Sequence, residues 1–310
     1  MKTKIKRAFV VGALMTAAAL MMGSTVQGEN ANSQNNENAN VTHSHHENSV
    51  KQNAKGKYAE VNGLKMYYEV HGSGQPLVLL HGAFGFNEGW VTVLPKLTKT
   101  HQVIAIESEG HGHTGDLDRP LTYEQMAEDT AALLKQLKIK DADFFGYSMG
   151  GTVALGVAIR HPELVRKLAI YGSCVGTPKD TYEPESYKQF QSLSTDFAPP
   201  MLKEPYDRMA PDPKRWPILV TKVKNMGRDF KGYSAAEVRA IKAQVLIMMG
   251  DRDVVRPEHA VEMYRLIPNA QLAIFPGGDH FMLWSSPDKV LSTLVPFLDG
   301  PMPEQKKIGD

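Results

Sequence analysis

One cysteine in 310 residues, Cys174, excludes any disulfide within the chain. Stability must then come from a packed core, and Cys174 itself reads as a small buried hydrophobe at a strand end. Net charge is equally scarce: 35 Lys and Arg against 34 Asp and Glu leave +1. Such a balance argues against nucleic acid or anionic membrane as the partner. Membrane-spanning runs are missing too. The uncharged apolar stretch from Ala8 to Met22 covers 15 residues, short of the ~18 or more that a span needs. Lys2, Lys4, Lys6 and Arg7 precede it, and small or polar residues follow to Gly28. That is the three-part pattern of a secretory signal peptide over residues 1–28, so the expected location is periplasmic or secreted. Removing it takes away four positive charges and no negative one, moving the formal charge from +1 to −3.

Residues 29–57 carry Asn, Ser, Glu and Lys and almost no large apolar side chains. They cannot bury enough surface to offset their conformational entropy and are expected to form a disordered linker. His43, His45 and His46 within it read as solvated rather than as metal ligands. Residues 301–310 are expected to be a tail.

From Lys57 the pattern turns regular. Tyr58–Val61 and Leu64–His71 flank Asn62-Gly63, a two-residue hairpin signal. Strands are predicted at Pro76–Leu80, Val103–Ile106, Asp143–Phe145, Lys167–Tyr171, Val245–Met249 and Gln271–Phe275. Helices are predicted at Leu121–Leu137, where Thr122 and Gln125 are spaced as a capping box, and at Thr152–Ile159, Pro257–Leu266 and Pro287–Leu298. Continuous apolar strands alternating with helices imply an α/β architecture: a doubly wound, mostly parallel eight-stranded sheet covered on both faces, with the leading hairpin antiparallel at one edge. The interval from Gly176 to Ala240 is too long for an ordinary loop. It reads as an inserted helical lid, whose Tyr182, Tyr187, Phe190, Phe197, Met201, Leu202, Tyr206, Met209 and Trp216 more simply pack onto the core than line a pocket.

The most informative stretch is Gly146-Tyr147-Ser148-Met149-Gly150, between an apolar strand and a buried helix. A sharp strand-to-helix turn strains the backbone of its central residue and lifts that side chain clear of the sheet, with room made by glycines two before and two after. The hydroxyl then lies at a helix N-terminus, where N–H groups stabilise an oxyanion. A serine needs an imidazole to take its proton, and the imidazole needs a carboxylate. Two later strand ends offer them: Gly250-Asp251-Arg252-Asp253 and Gly277-Gly278-Asp279-His280.

Over Tyr58 to Leu298 the chain resembles the α/β-hydrolase superfamily, in its lid-bearing serine esterase-like branch. The carriers are Leu79-Leu80-His81-Gly82-Ala83-Phe84, Glu109-Gly110-His111-Gly112, the Gly146–Gly150 elbow, and the Asp253 and His280 loops. The resemblance implies the α/β-hydrolase fold and a Ser148–His280–Asp253 triad, with Asp253 preferred over Asp251 as the acid. It also implies an oxyanion hole from the backbone N–H groups of Met149 and Ala83, with Phe84 the alternative to Ala83. His81 is expected to order the oxyanion loop, His111 to stabilise a turn, and Asp279 to point away from the imidazole beside it. Glu107 and Glu109 depart from the family pattern; acids near the site mouth would disfavour anionic substrates unless simply solvated. The implied activity is hydrolysis of carboxylic esters, cyclic ones (lactones) included, on small-molecule substrates and with no metal or organic cofactor required. A carbon–carbon bond hydrolase, an aminopeptidase and a cofactor-free haloperoxidase share the layout. A non-catalytic ligand-binding protein of the same fold is the alternative from another class, and the complete set of triad residues argues against it.

Overall fold

In the computed structural model, residues 56–301 are described. The predicted signal peptide, nearly all of the predicted linker and nearly all of the tail lie outside them. Asn62 and Gly63 both take positive φ, 50° and 79°, the geometry in which a two-residue turn matches the strand twist. They join β1 (Lys57–Val61) to β2 (Leu64–His71), antiparallel and with Val61 opposite Leu64. Six strands follow: β3 (Gln75–Leu80), β4 (His101–Ile106), β5 (Ala142–Tyr147), β6 (Val165–Tyr171), β7 (Gln244–Arg252) and β8 (Ala270–Asp279). All eight form one sheet in the order β1-β2-β4-β3-β5-β6-β7-β8. Pairing is antiparallel at β1/β2 and β2/β4 and parallel across the rest.

The helices are α1 (Leu94–Leu97), α2 (Tyr123–Gln136), α3 (Met149–Arg160), α4 (Pro178–Thr181), α5 (Pro184–Gln191), α6 (Pro200–Met209), α7 (Trp216–Asp229), α8 (Ala235–Arg239), α9 (Pro257–Leu266), α10 (Met282–Ser285) and α11 (Pro287–Asp299). Alternate strand residues feed two cores, because successive side chains leave a strand on opposite faces. Val78, Leu80, Phe144 and Ile170 pack with α2, α3 and α9. Leu77, Leu79, Phe145 and Ala169 pack with Trp90, Leu97 and the apolar side of α11. With both faces covered, the central strands have no polar side to show, which is why they read as unbroken apolar runs.

Helix α2 starts as the sequence suggests, with the Thr122 hydroxyl accepting from the Gln125 N–H at 3.0 Å. The reciprocal half of the capping box is absent: the Gln125 amide donates to Asp129 Oδ1 at 2.9 Å instead. Between β6 and β7 the insertion is helical, α4 through α8. Tyr206, Met209 and Trp216 are buried in the core, Trp216 at 1% exposure, whereas Met201 is 39% exposed. Lys222 and Arg215 of the insertion both ion-pair with Asp116 on the loop after β4, seating the inserted helices on the sheet domain. Among the described residues no helix is long and apolar enough to cross a membrane.

Candidate active site

Strand order reverses at β3: the chain leaves it toward β4 and later returns to lay β5 on its other side. Loops leaving the carboxyl ends of β3 and β5 diverge there and open a crevice. Ser148 follows β5 directly, at φ 53° and ψ −120°, where its carbonyl accepts from the Gly151 and Thr152 N–H groups that begin α3. A non-glycine residue in such a conformation costs about 1–3 kcal/mol. Its own N–H donates to the Tyr171 carbonyl at 2.8 Å, which helps hold it there. Both elbow glycines are obligatory. A Cβ at Gly150 would stand 2.0 Å from the Leu80 carbonyl oxygen, and one at Gly146 would stand 2.5 Å from the Gly151 Cα.

Three loops meet at Ser148. His280 Nε2 lies 3.0 Å from Ser148 Oγ, and His280 Nδ1 lies 2.7 Å from Asp253 Oδ1. With Nδ1–H donating to the carboxylate, Nε2 keeps its lone pair toward the serine hydroxyl. Asp253 is buried, and its Oδ1 also accepts from the Val255 N–H at 3.2 Å. Asp251 is exposed and accepts from Gly277 N–H at 2.8 Å, shaping the loop. Asp279 turns from the imidazole to accept from Phe281 N–H at 2.9 Å.

Three residues that the sequence reading did not single out support His280. Tyr171 and Tyr147, at the ends of β6 and β5, donate their hydroxyls to the carbonyls of Asp279 (2.7 Å) and His280 (3.0 Å). Since β8 is the edge strand, these bonds tie its last residues to the centre of the sheet. Gly172, at φ 60°, leaves space that a Cβ would close, 2.8 Å from His280 Nδ1 and 2.9 Å from Asp253 Oδ2. A glycine immediately after a strand's last residue was the available signal.

After β3, residues Gly82 to Gly85 form a β-turn closed by Gly85 N–H donating to the Gly82 carbonyl at 3.0 Å. A Cβ on Gly82 would sit 3.2 Å from Ser148 Cβ, so this turn lies against the serine. Among the described residues neither the Ala83 nor the Met149 N–H donates a backbone hydrogen bond. His81 braces the turn from below: its Nδ1–H donates to the Gly82 carbonyl at 2.8 Å and its Nε2 accepts from Ser108 N–H at 3.2 Å. Both nitrogens are used in the neutral form, and burial lowers its pKa.

The competing imidazoles lie elsewhere. His111 is buried, donates from Nδ1 to the Glu109 carbonyl at 2.9 Å, and has its pKa pushed down to about 3 by burial and by the nearby His81. His113 pairs with Glu107 at 3.0 Å, which raises its pKa. The two acids expected near the site mouth are neither there nor solvated. Glu107 is wholly buried and accepts from the Asn87 and His113 N–H groups. Glu109, also buried, holds Arg119 Nε at 2.6 Å and Leu117 N–H at 3.1 Å. Unpaired backbone donors in the loops after β3 and β4 drew them inward, so they brace these loops rather than repel a ligand. No cluster of three or more His, Cys, Asp or Glu that could hold a metal occurs among the described residues.

A hydroxyl, an imidazole and a carboxylate thus stand in one hydrogen-bonded series at a strand-end crevice, beside a turn with free N–H groups. The model of the alpha/beta hydrolase family matches residues 77–293, a span holding every one of these groups. The chain belongs to the alpha/beta hydrolase family. Among relatives in that family, the chain is 28% identical to the 2-hydroxymuconate semialdehyde hydrolase of Pseudomonas sp. strain CF600, an alignment covering 71% of this chain and 85% of that protein. It is 25% identical to the pimeloyl-[acyl-carrier protein] methyl ester esterase of Nitrosospira multiformis, covering 76% of this chain and 98% of that one. The crystal structure of the enol-lactonase from Burkholderia xenovorans LB400 superposes with a TM-score of 0.62 at 22% identity, covering 78% of this chain and 99% of that chain.

Proposed function

We propose that this hydrolase cleaves carboxylic esters, lactones included, through an acyl-enzyme on Ser148. The observation that carries the reading is the pair of short contacts from the two nitrogens of His280, 3.0 Å to the Ser148 hydroxyl and 2.7 Å to the Asp253 carboxylate. During attack Ser148 Oγ bonds to the ester carbon while its proton passes to His280 Nε2, and Asp253 stabilises the imidazolium. The N–H groups of Ala83 and Met149 receive the oxyanion, each worth roughly 3 kcal/mol in the transition state. The intermediate collapses by breaking the bond to the alkoxy oxygen, which takes the proton from His280 and leaves as alcohol. Water then attacks the acyl-enzyme, giving its proton to His280, and the acid departs as Ser148 recovers its hydrogen. The inserted helices act as a lid over this crevice.

Support from similarity comes from a methyl ester esterase that aligns over most of its length. A second reading, hydrolysis of a substrate like the semialdehyde for which the Pseudomonas relative is named, is favoured by that relative's 28% identity. A panel of aryl esters and lactones run beside such a semialdehyde separates the two. Ser148→Ala is expected to lose at least about a thousandfold in turnover and to take no fluorophosphonate adduct, where the parent takes one. Equal rates for mutant and parent would refute the assignment. The same proposal has residues 1–28 direct export; a mature N-terminus found still at Met1 in the cell would count against it.

A further inference from the structure

The turn beside Ser148 has the wrong residue at its tightest point. In Gly82-Ala83-Phe84-Gly85, Phe84 occupies the third position at φ 63°. That conformation is one glycine adopts freely and a bulky side chain resists. Phe84 remains there with its ring buried among rings of the insertion: its centroid lies 5.3 Å from that of Phe197 and 5.5 Å from that of Trp216. These two partners are tied to each other, since Trp216 Nε1–H donates to the Phe197 carbonyl at 2.7 Å. Tyr206 packs edge-on against Trp216 with a centroid separation of 5.0 Å.

From this geometry we infer that Phe84, Phe197 and Trp216 are positioning residues: the seated insertion holds the oxyanion turn in its working shape. The inference rests on the esterase reading above. If the rings of the insertion withdraw, nothing offsets the strain at Phe84. Its φ then returns to negative values and the peptide between Ala83 and Phe84 rotates. That rotation carries away the Phe84 N–H, the alternative second donor, and turns the Ala83 carbonyl oxygen to the side it left. The field beside Ser148 then favours developing negative charge less, while the Ala83 N–H stays in the plane of the Gly82 carbonyl. The Gly82–Ala83 peptide is held at the Gly82 carbonyl by His81 and by the Gly85 N–H, so the rotation is confined to the peptide between Ala83 and Phe84. The insertion would thus tune turnover without touching the reacting atoms.

A double-mutant cycle tests this. Trp216 is fully buried and its loss would endanger folding, so the cycle uses the half-buried Phe197 and the turn residue itself. Phe197→Ala in the parent is expected to lower kcat about tenfold with KM changed less than about threefold. It should weaken a boronic acid inhibitor, which mimics the tetrahedral intermediate, in step with kcat/KM. Phe84→Gly keeps the turn without needing the ring and is expected to lose about threefold. In that background Phe197→Ala should cost less than about twofold more, because glycine no longer needs the insertion. Equal losses in both backgrounds overturn the inference. So does a loss carried wholly by KM with kcat and boronate affinity intact, which would make Phe197 a pocket wall. A parent that neither cleaves the esters nor takes the fluorophosphonate overturns the esterase reading and this inference together. An active parent with an additive cycle overturns the inference alone.

Discussion

At the scale of single residues, the side chains around His280 separate chemistry from support. Tyr171 and Tyr147 reach the backbone of the histidine loop, not the imidazole nitrogens. Removing a hydroxyl leaves a part-buried carbonyl without its donor and loosens an edge-strand loop. Tyr171→Phe is therefore expected to lower kcat roughly tenfold with KM nearly unchanged, because with His280 as the proposed general base a misplacement of a fraction of an ångström is felt in the transition state. Steady-state kinetics well below the melting temperature check it; an unchanged kcat would show that the strand alone positions the loop. Gly172→Ala is the harsher case, since its methyl would overlap both His280 Nδ1 and Asp253 Oδ2. Fluorophosphonate labelling should fall at least about a hundredfold while circular dichroism stays native. The loops holding Asp253 and His280 were readable as candidates because both follow predicted strands in the order Ser, Asp, His; the preference for Asp253 over Asp251 came from the family resemblance. Tyr147, Tyr171 and Gly172 were not, for their roles depend on where a distant loop comes to rest.

At the scale of elements, periodicity recovered every strand and the longer helices outside the insertion, with ends shifted by a few residues, but it placed none of the inserted helices individually, α7 with its 14 residues included. The misses are instructive. The 3-10 turns at Asn87–Thr92, α1 and α10 are too short to show a period, and they exist because Trp90, Val93, Leu97 and Met282 reach a core built by remote strands. They also join two loops of the candidate site: Trp284 Nε1–H donates to the Gly89 carbonyl at 2.8 Å, linking the segment after His280 to the segment after the Gly82–Gly85 turn. Capping follows local rules only in part. Thr122→Ala should cost about 1 kcal/mol in urea denaturation, the usual worth of an N-cap hydroxyl. Gln125→Ala should act instead through Asp129, whose carboxylate also binds Arg119 at 2.7 Å and Asn62 at 2.8 Å.

At the scale of the whole molecule, buried imidazoles set an acid limit. Burial lowers the pKa of His81, His111 and His259, with His111 down to about 3. Such groups bind fewer protons folded than unfolded, so their stability contribution is complete above the ordinary imidazole range. It is lost as pH falls from there toward the folded value. Each can steepen the fall by up to about 1.4 kcal/mol per pH unit. His111→Asn, measured by urea denaturation from pH 7 to pH 4, should flatten the dependence by roughly one such increment. An unchanged slope would mean that His111 is already charged in the folded protein.

The chain's order of residues determined its sheet type, its hairpin, its strained serine elbow and the candidates for base and acid. These depend on side-chain period, on glycine's freedom at positive φ and on contacts a few residues apart, so a linear reading reaches them. Tertiary packing decided the rest. It drew Glu107 and Glu109 inward to unpaired backbone donors, set two tyrosines under the histidine loop, and laid the rings of the insertion against Phe84. Each outcome turns on which distant surfaces meet once the cores close, and no local pattern encodes that.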